Sequence, residues 1–462
     1  MSKPYSNAGP YVAQLKGIEG QINQNQLSEA AAALNLLAKD HSHDPRLFLL
    51  GSRLAEAARN PDGVLLAARK AHALAPGWPV ATIHLASVLG ARNEAEEAMA
   101  LARQAIQQAS DPLTQATIDT ELLTKAAAVA DRLKHHAQAV KWLRQAEKIS
   151  PDDLNLRYKI GLVLTHGDDP ASAVDIFTEM LLQQPDNPAL LSARMHACMM
   201  AQQMAQAIGD GETLLAMDPA NEEHQFYLDF ARGLNPVTQP ASVITRLFDG
   251  QTRFDQLVAG ELHDKLPRDV AQRIRLWYPD LQCDVLDLGC GTGSLGVGLG
   301  RMPGVLVGVD LSGAMLDEAA RHGVYDSFHQ VNLLDALSAT PGDHYHLVVA
   351  LDVLTYVGSL DTVIPNAYRI LLPGGRFVFS CETGVTGEGD YTLQSSYRYT
   401  YQLSYVRRLL QLAGFIIVEV EDRVLRHDPA QPVDGFLVTA SKPPSVVAKS
   451  GSRPKKSGKA LP

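Results

Sequence analysis

Over residues 8 to 235 the pattern of apolar and polar positions carries almost no strand signal; Ala, Leu and Gln dominate and aromatics are few. A small residue stands twelve positions ahead of a closing Pro or Ser at Ala30/Ser42, Val64/Pro76, Ala98/Ser110, Ala139/Pro151, Ala173/Pro185 and Ala207/Pro219. The closing positions are 34, 34, 41, 34 and 34 residues apart. A sustained period of this length marks stacked helical units, none of which buries its apolar face alone. The small residue lets two helices approach closely, and the proline stops the second helix before the next unit begins. The one 41-residue interval, around Asp111 to Ala130, predicts a longer helix or loop in mid-array. Asn221 to Gly233 reads as a polar-faced helix that caps the array.

The pattern changes after Leu234-Asn-Pro-Val-Thr-Gln-Pro240, where two prolines and an Asn mark a domain boundary. Val243 to Gly250 and Arg253-Phe-Asp255 form a doubled Phe-Asp segment that leads into helical apolar spacing from Leu262 to Trp277. From Cys283 onward, apolar strands alternate with helices, the signature of a parallel sheet covered on both faces. The predicted strands are 284–288, 305–310, 328–331, 346–352, 376–381, 415–420 and 435–440. Predicted helices follow Gly293, run from the Ser312 cap to Arg321, span 360–372 up to Pro373-Gly374-Gly375, and span 402–412.

The chemistry concentrates in Val285-Leu-Asp-Leu-Gly-Cys-Gly-Thr-Gly293 and in Val307-Gly-Val-Asp310. Glycine at every second position after a buried strand lets the backbone turn tightly and approach a ligand without a Cβ in the way. An acid at the end of the second strand accepts hydrogen bonds from ribose hydroxyls in doubly wound folds. Two glycine registers compete. Gly291-Thr-Gly-Ser-Leu-Gly296 meets the dinucleotide pattern, whereas Gly289 with Asp287 two residues before it belongs to a different one. That Asp-x-Gly-x-Gly-x-Gly run resembles motif I of the class I S-adenosylmethionine-dependent methyltransferases, and the strand–helix order over residues 245–441 resembles their core. The pairing with repeats, together with Leu351-Asp-Val-Leu-Thr-Tyr356 and Arg398-Tyr-Thr-Tyr401, resembles the bacterial predicted methyltransferases carrying tetratricopeptide repeats. The 34-residue period likewise resembles the tetratricopeptide repeat.

The resemblance implies an all-α tetratricopeptide-repeat solenoid over 8–235, an α/β Rossmann-like methyltransferase domain over 245–441 and a tail over 442–462. It implies S-adenosylmethionine as cofactor, over Asp287, Gly289, Gly291 and Gly293, with Asp310 on the ribose. Leu311, Asn332 and Leu333 would flank the adenine, with Asp335 as an alternative, and Leu351 and Asp352 would line the boundary with the acceptor. No motif identifies a general base. Tyr356, Glu382, Arg398, Tyr399 and Tyr401 are candidates for holding an acceptor, with core or rim packing the competing account of each. The repeats point to a protein partner bound in their groove, against the alternative that they only rigidify or dimerise the enzyme. The acceptor is a small molecule, a carrier-bound acyl group or a protein. A scaffold with a non-catalytic cofactor-binding domain remains the other reading.

Composition narrows this further. A formal net charge of −10 over 462 residues argues against a general nucleic-acid-binding surface. The strand around 346–352 also lacks the Asn/Asp-Pro-Pro-aromatic loop suited to an adenine amine or a side-chain amide. Cys198, Cys283, Cys290 and Cys381 are scattered, without metal-ligand spacing, and read as reduced thiols. His41/His43 and His135/His136 lack a third ligand at a sensible spacing, so no metal is expected. With no apolar run near eighteen residues and no signal-peptide pattern at the start, the chain reads as cytoplasmic. Lys442 to Pro462, with Lys442, Lys449, Arg453, Lys455, Lys456 and Lys459 and no acids, reads as a solvated, disordered basic tail.

Overall fold

The helices of the first half begin where a polar cap meets a proline. Asp44, Asn60, Asp169 and Asn187 each accept a hydrogen bond from a first-turn backbone N–H, and Pro45, Pro61, Pro170 and Pro188 follow them directly. The cap oxygen satisfies an orphan donor, and proline loses nothing at a position whose N–H has no helical partner. The computed structural model describes residues 10–58, 60–110, 119–249, 265–385, 389–428 and 431–445. These fall into two compact units that part between Leu234 and Asn235.

The first unit is helical throughout its described residues. Its helices are α1 (Pro10–Asn23), α2 (Leu27–His41), α3 (Pro45–Ala57), α4 (Pro61–Leu74), α5 (Pro79–Ala91), α6 (Ala95–Ser110), α7 (Thr120–Arg132), α8 (His136–Ile149), α9 (Leu154–His166), α10 (Pro170–Gln183), α11 (Pro188–Met200), α12 (Met204–Met217) and α13 (Glu222–Ala231). Ala30, Ala98, Ala139, Ala173 and Ala207 have no exposed surface, as their periodic placement predicts, while Val64 stays half-buried. The predicted mid-array irregularity falls partly on 111–118, outside the described residues. The terminal helix α13 buries Phe226, Tyr227, Leu228 and Ala231 and leaves Glu222 and Gln225 exposed.

Two glycines show how tightly this packing is set. A Cβ on Gly161 of α9 would lie 2.5 Å from Cζ of Phe177, which is fully buried; a Cβ on Gly209 of α12 would meet nothing within 4 Å. Replacing a helical glycine by alanine gains about 0.8–1 kcal/mol of helix propensity, whereas overpacking a core costs about 1–3 kcal/mol. Gly209→Ala is therefore expected to raise the melting temperature and Gly161→Ala to lower it, as read by thermal circular dichroism.

The second unit opens with an irregular segment, 235–240, and then α14 (Ala241–Asp249) and α15 (Lys265–Trp277). The second Phe-Asp pair, at 254–255, lies outside the described residues, as does the tail beyond 445. There follow β1 (Val285–Leu288), α16 (Ser294–Leu299), β2 (Leu306–Asp310), α17 (Gly313–Arg321), β3 (Ser327–Gln330), α18 (Leu333–Ala339) and β4 (Tyr345–Ala350). A 3-10 turn at Leu354–Tyr356 leads to α19 (Val363–Ile370), β5 (Leu371–Thr383), β6 (Tyr391–Leu393), β7 (Tyr399–Tyr401), α20 (Leu403–Ala413), β8 (Ile416–Asp428) and β9 (Gln431–Ser441). The sheet order is β3-β2-β1-β4-β5, all parallel, with β9 antiparallel to β5 and β8 antiparallel to β9. Its core joins Val285, Leu306, Leu347, Val349 and Val378 of the sheet to Val270 and Ile274 of α15 and Leu295 and Leu299 of α16.

Three sequence expectations change here. Pro373-Gly374-Gly375 does not stop a helix but lies inside β5, where the pairing with β4 shifts register between Tyr345/Leu371 and Leu347/Arg376. The last two strands are far longer than predicted and form a hairpin from Ile416 to Ser441. Strands β6 and β7 were not anticipated at all. One edge of β5 is held by β9 from Arg376 to Glu382, so β7, which pairs at Glu382 and Thr383, takes the other edge beyond the end of β4. The β6–β7 ribbon thus stands over the carboxyl end of β4.

Candidate functional site

The strand order turns about between β1 and β4, and the crevice outside the carboxyl ends there is where such sheets take ligands. Leaving β1, Gly289, Gly291 and Gly293 have φ of 68°, 53° and 86°. This left-handed conformation at alternate residues is costly for any residue with a Cβ. The amides of Gly289 and Cys290 both donate to the carbonyl of Val309 on β2, at 2.7 and 3.0 Å. A Cβ on Gly289 would lie 2.3 Å from Val353, so the chain leaving β4 packs directly on this turn. By contrast, a Cβ on Gly291 would meet nothing within 4 Å: that glycine faces open space.

Asp310 closes the loop from the end of β2. Its Oδ2 accepts from the Gly291 amide and its Oδ1 from the Ser312 amide, each at 2.9 Å. Burial pushes its carboxyl above the usual range, and the backbone donors at Ser312, Gly291 and Leu311 hold it down. The neighbouring Leu311 is half-buried, and its carbonyl accepts from Gln330 of β3. Asn332 caps α18 through the Leu334 amide at 2.9 Å, with Leu333 buried beside it, while Asp335 is exposed. Asp287, Gly289, Gly291, Gly293, Asp310 and Leu311 are thus brought to one place, and Asn332 and Leu333 follow from the adjoining strand end.

Asp287 lies beneath the turn, 3 % exposed. Its carboxyl is pushed up to about 7, chiefly by desolvation, with Asp310 adding to the rise and a hydrogen bond from Tyr325 opposing it. That bond, from the Tyr325 hydroxyl to Asp287 Oδ2, is 2.7 Å long, and the Tyr325 hydroxyl oxygen itself accepts from the Gly296 amide at 3.3 Å. The sequence offered no signal for Tyr325, which stands in the connection between α17 and β3.

A second cluster surrounds the chain leaving β4. Leu351 is half-buried against the core. Asp352 adopts a left-handed φ of 50°, a strained conformation for a non-glycine residue, and its amide donates to the buried Ser380 Oγ at 2.8 Å. Its side chain is 41 % exposed, yet desolvation pushes its carboxyl up. Arg426 of β8 pairs with Asp352 Oδ1 at 2.5 Å and with Glu382 of β5, whose Oε1 also accepts from Thr355 at 2.8 Å. The Arg398 guanidinium lies 5.9 Å from the centre of the Tyr356 ring.

The five acceptor-side candidates separate by these contacts: Glu382, buried, is held between Arg426 and Thr355. Tyr399 and Tyr401 have no exposed surface. Tyr401 donates to the carbonyls of Leu354 and Val357, bracing the 3-10 turn, and Tyr399 donates to Pro236 at 2.9 Å. Both are struts. Tyr356 and Arg398 stay beside Asp352, whose charge acts on both. Segment 235–237, at the boundary the sequence marks, is tied to the second unit: Asn235 accepts from the Leu393 amide at 3.0 Å and Val237 from the Ser359 amide at 2.8 Å. Asn235 and the Pro236 carbonyl thereby meet β6 and β7. Arg426 is 74 residues from Asp352 and no spacing rule could pair them.

Residues 286–377 match the family model described as a methyltransferase domain. Over 100 residues the chain is 33 % identical to a ubiquinone biosynthesis O-methyltransferase of Pseudomonas savastanoi pv. phaseolicola, covering 21 % of this chain and 43 % of that protein. It is 26 % identical over 122 residues to the protein of the same name from Coxiella burnetii, covering 25 % and 52 %. The chain thus spans about half the length of the curated relatives it matches. Among solved structures, a magnesium protoporphyrin IX methyltransferase from Synechocystis with bound S-adenosylhomocysteine aligns with a TM-score of 0.34 at 19 % identity, covering 44 % of this chain and all of that one.

Proposed function

We propose that this chain, whose residues 286–377 form a methyltransferase domain, transfers the methyl group of S-adenosylmethionine to an oxygen of a small-molecule acceptor. The observation that carries the reading is the turn itself: three left-handed glycines at alternate positions, open space at Gly291, and the Asp310 carboxylate drawn under the loop. The charge on Asp310 acts on Asp287, so two acids underlie the loop, a setting that suits a cationic ligand better than a pyrophosphate.

When bound, the cofactor supplies a sulfonium methyl group already activated for displacement. The protein's task is then alignment and exclusion of water. Asp310 would hold the ribose hydroxyls with its remaining lone pairs, and Leu311 and Leu333 would offer apolar surface to the base. Val353, packed on Gly289, places Asp352 next to the turn. Asp352 offers a carboxylate to the acceptor's hydroxyl proton, and a carboxyl pushed up by its surroundings is the better base near neutral pH. Tyr356 offers a hydroxyl and Arg398 a cation to the rest of the acceptor. The shared name of the curated relatives supports oxygen as the acceptor atom.

The helical unit reads as tetratricopeptide repeats that present a groove to a protein partner; the 34-residue period and the fully buried alanines support this. No helix among the described residues is long and apolar enough to cross a membrane, and four buried, unbridged cysteines suit the cytoplasm. Isothermal titration of the full chain tests the donor assignment. S-adenosylmethionine is expected to bind and NAD to give no heat; the reverse result would overturn the reading.

A further inference from the structure

We propose that Tyr325 is a positioning residue for the methyl donor: its hydroxyl, bridging the buried Asp287 carboxyl and the Gly296 amide, holds Asp287 as an anion beneath the glycine turn. The inference rests on the donor assignment above and adds a residue outside the glycine motif.

An isolated carboxylate at 3 % exposure is costly, and such a group takes up a proton unless something pairs with it. The groups that face Asp287 can be named from each side. Tyr325 approaches from the connection before β3 with its hydrogen bond of 2.7 Å. Asp310, at the end of β2, and Cys290, in the turn, couple to Asp287 electrostatically, and Asp310 disfavours its ionised form. The register partners on the flanking strands are Gly308 and Val349, neither titratable. Tyr325 is therefore the partner that favours the anion. Its own ionisation is pushed well above the ordinary tyrosine range by burial and by Asp287, so the hydroxyl keeps the proton it donates.

The ring is as specifically placed as the hydroxyl. A Cβ on Gly296 would lie 2.3 Å from the Tyr325 ring, and one on Gly293 would lie 3.1 Å from it. The ring thus rests on Gly293 of the turn and Gly296 of α16, and the hydroxyl ties that helix to β1. This explains Gly296 without a ligand: its hydrogen side chain makes room for Tyr325. It also gives the anion a task. A sulfonium above the turn is attracted by an ionised Asp287 and not by a neutral one, so donor binding and proton loss from Asp287 are linked.

The sign follows from that linkage. With the carboxyl pushed up to about 7, affinity for the sulfonium donor rises as pH climbs through that value. Removing the hydroxyl moves the titration, and with it the rise, to higher pH. The test is isothermal titration of the full chain at pH 6, 7, 8 and 9 with S-adenosylmethionine and, separately, with S-adenosylhomocysteine, whose sulfur is neutral. In the wild type, affinity for S-adenosylmethionine is expected to rise several-fold from pH 6 to 8, more steeply than for S-adenosylhomocysteine. Tyr325→Phe keeps the ring; it is expected to weaken S-adenosylmethionine about tenfold at pH 7 and to recover most of that by pH 9. Asp287→Asn, the neutral mimic, is expected to bind weakly and independently of pH, with no further loss in the double variant. An equal loss for both ligands at every pH, or no loss, overturns the role assigned to Tyr325 while leaving the donor assignment standing. Absence of wild-type binding to either ligand overturns the donor assignment itself, and this inference with it.

Discussion

Gly291→Val is expected to lower affinity for S-adenosylmethionine about 100-fold or more, a loss of about 2.8 kcal/mol at 1.4 kcal/mol per decade, in titration calorimetry of the full chain. Two effects add. The valine must occupy φ of 53°, which costs about 1–2 kcal/mol for a residue with a Cβ, and its methyls project into space that no protein atom fills within 4 Å. The strain weakens the fold, while the lost space weakens only binding. A fall of a few degrees in melting temperature with a far larger loss of affinity is the expected pattern. Gly289→Ala provides the contrast. Its Cβ would meet Val353 at 2.3 Å, so it should lower the melting temperature of the domain more than Gly291→Ala does. Unchanged affinity in Gly291→Val would show that the open space at the turn is not the donor's.

The second large effect is expected at Arg426. Its guanidinium, 17 % exposed, pairs with Glu382, 9 % exposed, and with the more accessible Asp352. Arg426→Met keeps the aliphatic packing and leaves both carboxylates without that cation. Breaking a buried pair by deleting one partner costs about 3–5 kcal/mol; the exposure of Asp352 places the expected loss at the lower end, about 3 kcal/mol. The loss should depend on pH. Desolvation already raises Asp352 above its unfolded value, and removing the arginine raises it further. A folded state that binds more protons than the unfolded state loses stability as pH rises. Arg426→Met should therefore be closer to wild type at pH 5 than at pH 8, in urea unfolding followed by circular dichroism. A pH-independent difference would mean that Arg426 acts by packing alone.

The two halves of the chain were legible to different degrees, for physical reasons visible at particular residues. In the helical unit, Pro151 and Ala139 speak for their whole repeat, because each unit packs mainly on its sequence neighbours and the same local solution recurs. The alanines at five of six periodic positions are fully buried where the period put them. In the second unit the order of β1 to β5 was readable from apolar runs and punctuating glycines. Strand ends were not. Pro373-Gly374-Gly375 has the composition of a helix stop, yet the pairing of β5 with β4 draws it into a strand and absorbs it as a register shift. Val418 and Val424 of β8 are exposed, so the length of the final hairpin comes from its partner strand rather than from its own apolar pattern.

The same division runs through the site. The sequence by itself determined the glycine turn, Asp287 ahead of it and Asp310 one strand later, because a backbone that must turn without side chains and an acid at a strand end are local requirements. It also determined the two-part organisation, since a repeat period and a strand–helix alternation differ in kind. Only the tertiary structure decided which of the candidate tyrosines are struts, because Tyr399 and Tyr401 differ from Tyr356 in what lies opposite them and not in what adjoins them. It alone placed the β6–β7 ribbon over the end of β4, docked residues 235–237 against it, and brought Arg426 to Asp352 across 74 residues of chain. It alone set Tyr325 against Asp287. Hydrogen bonds and ion pairs between distant residues leave no period in the sequence, because each is made once, by the fold.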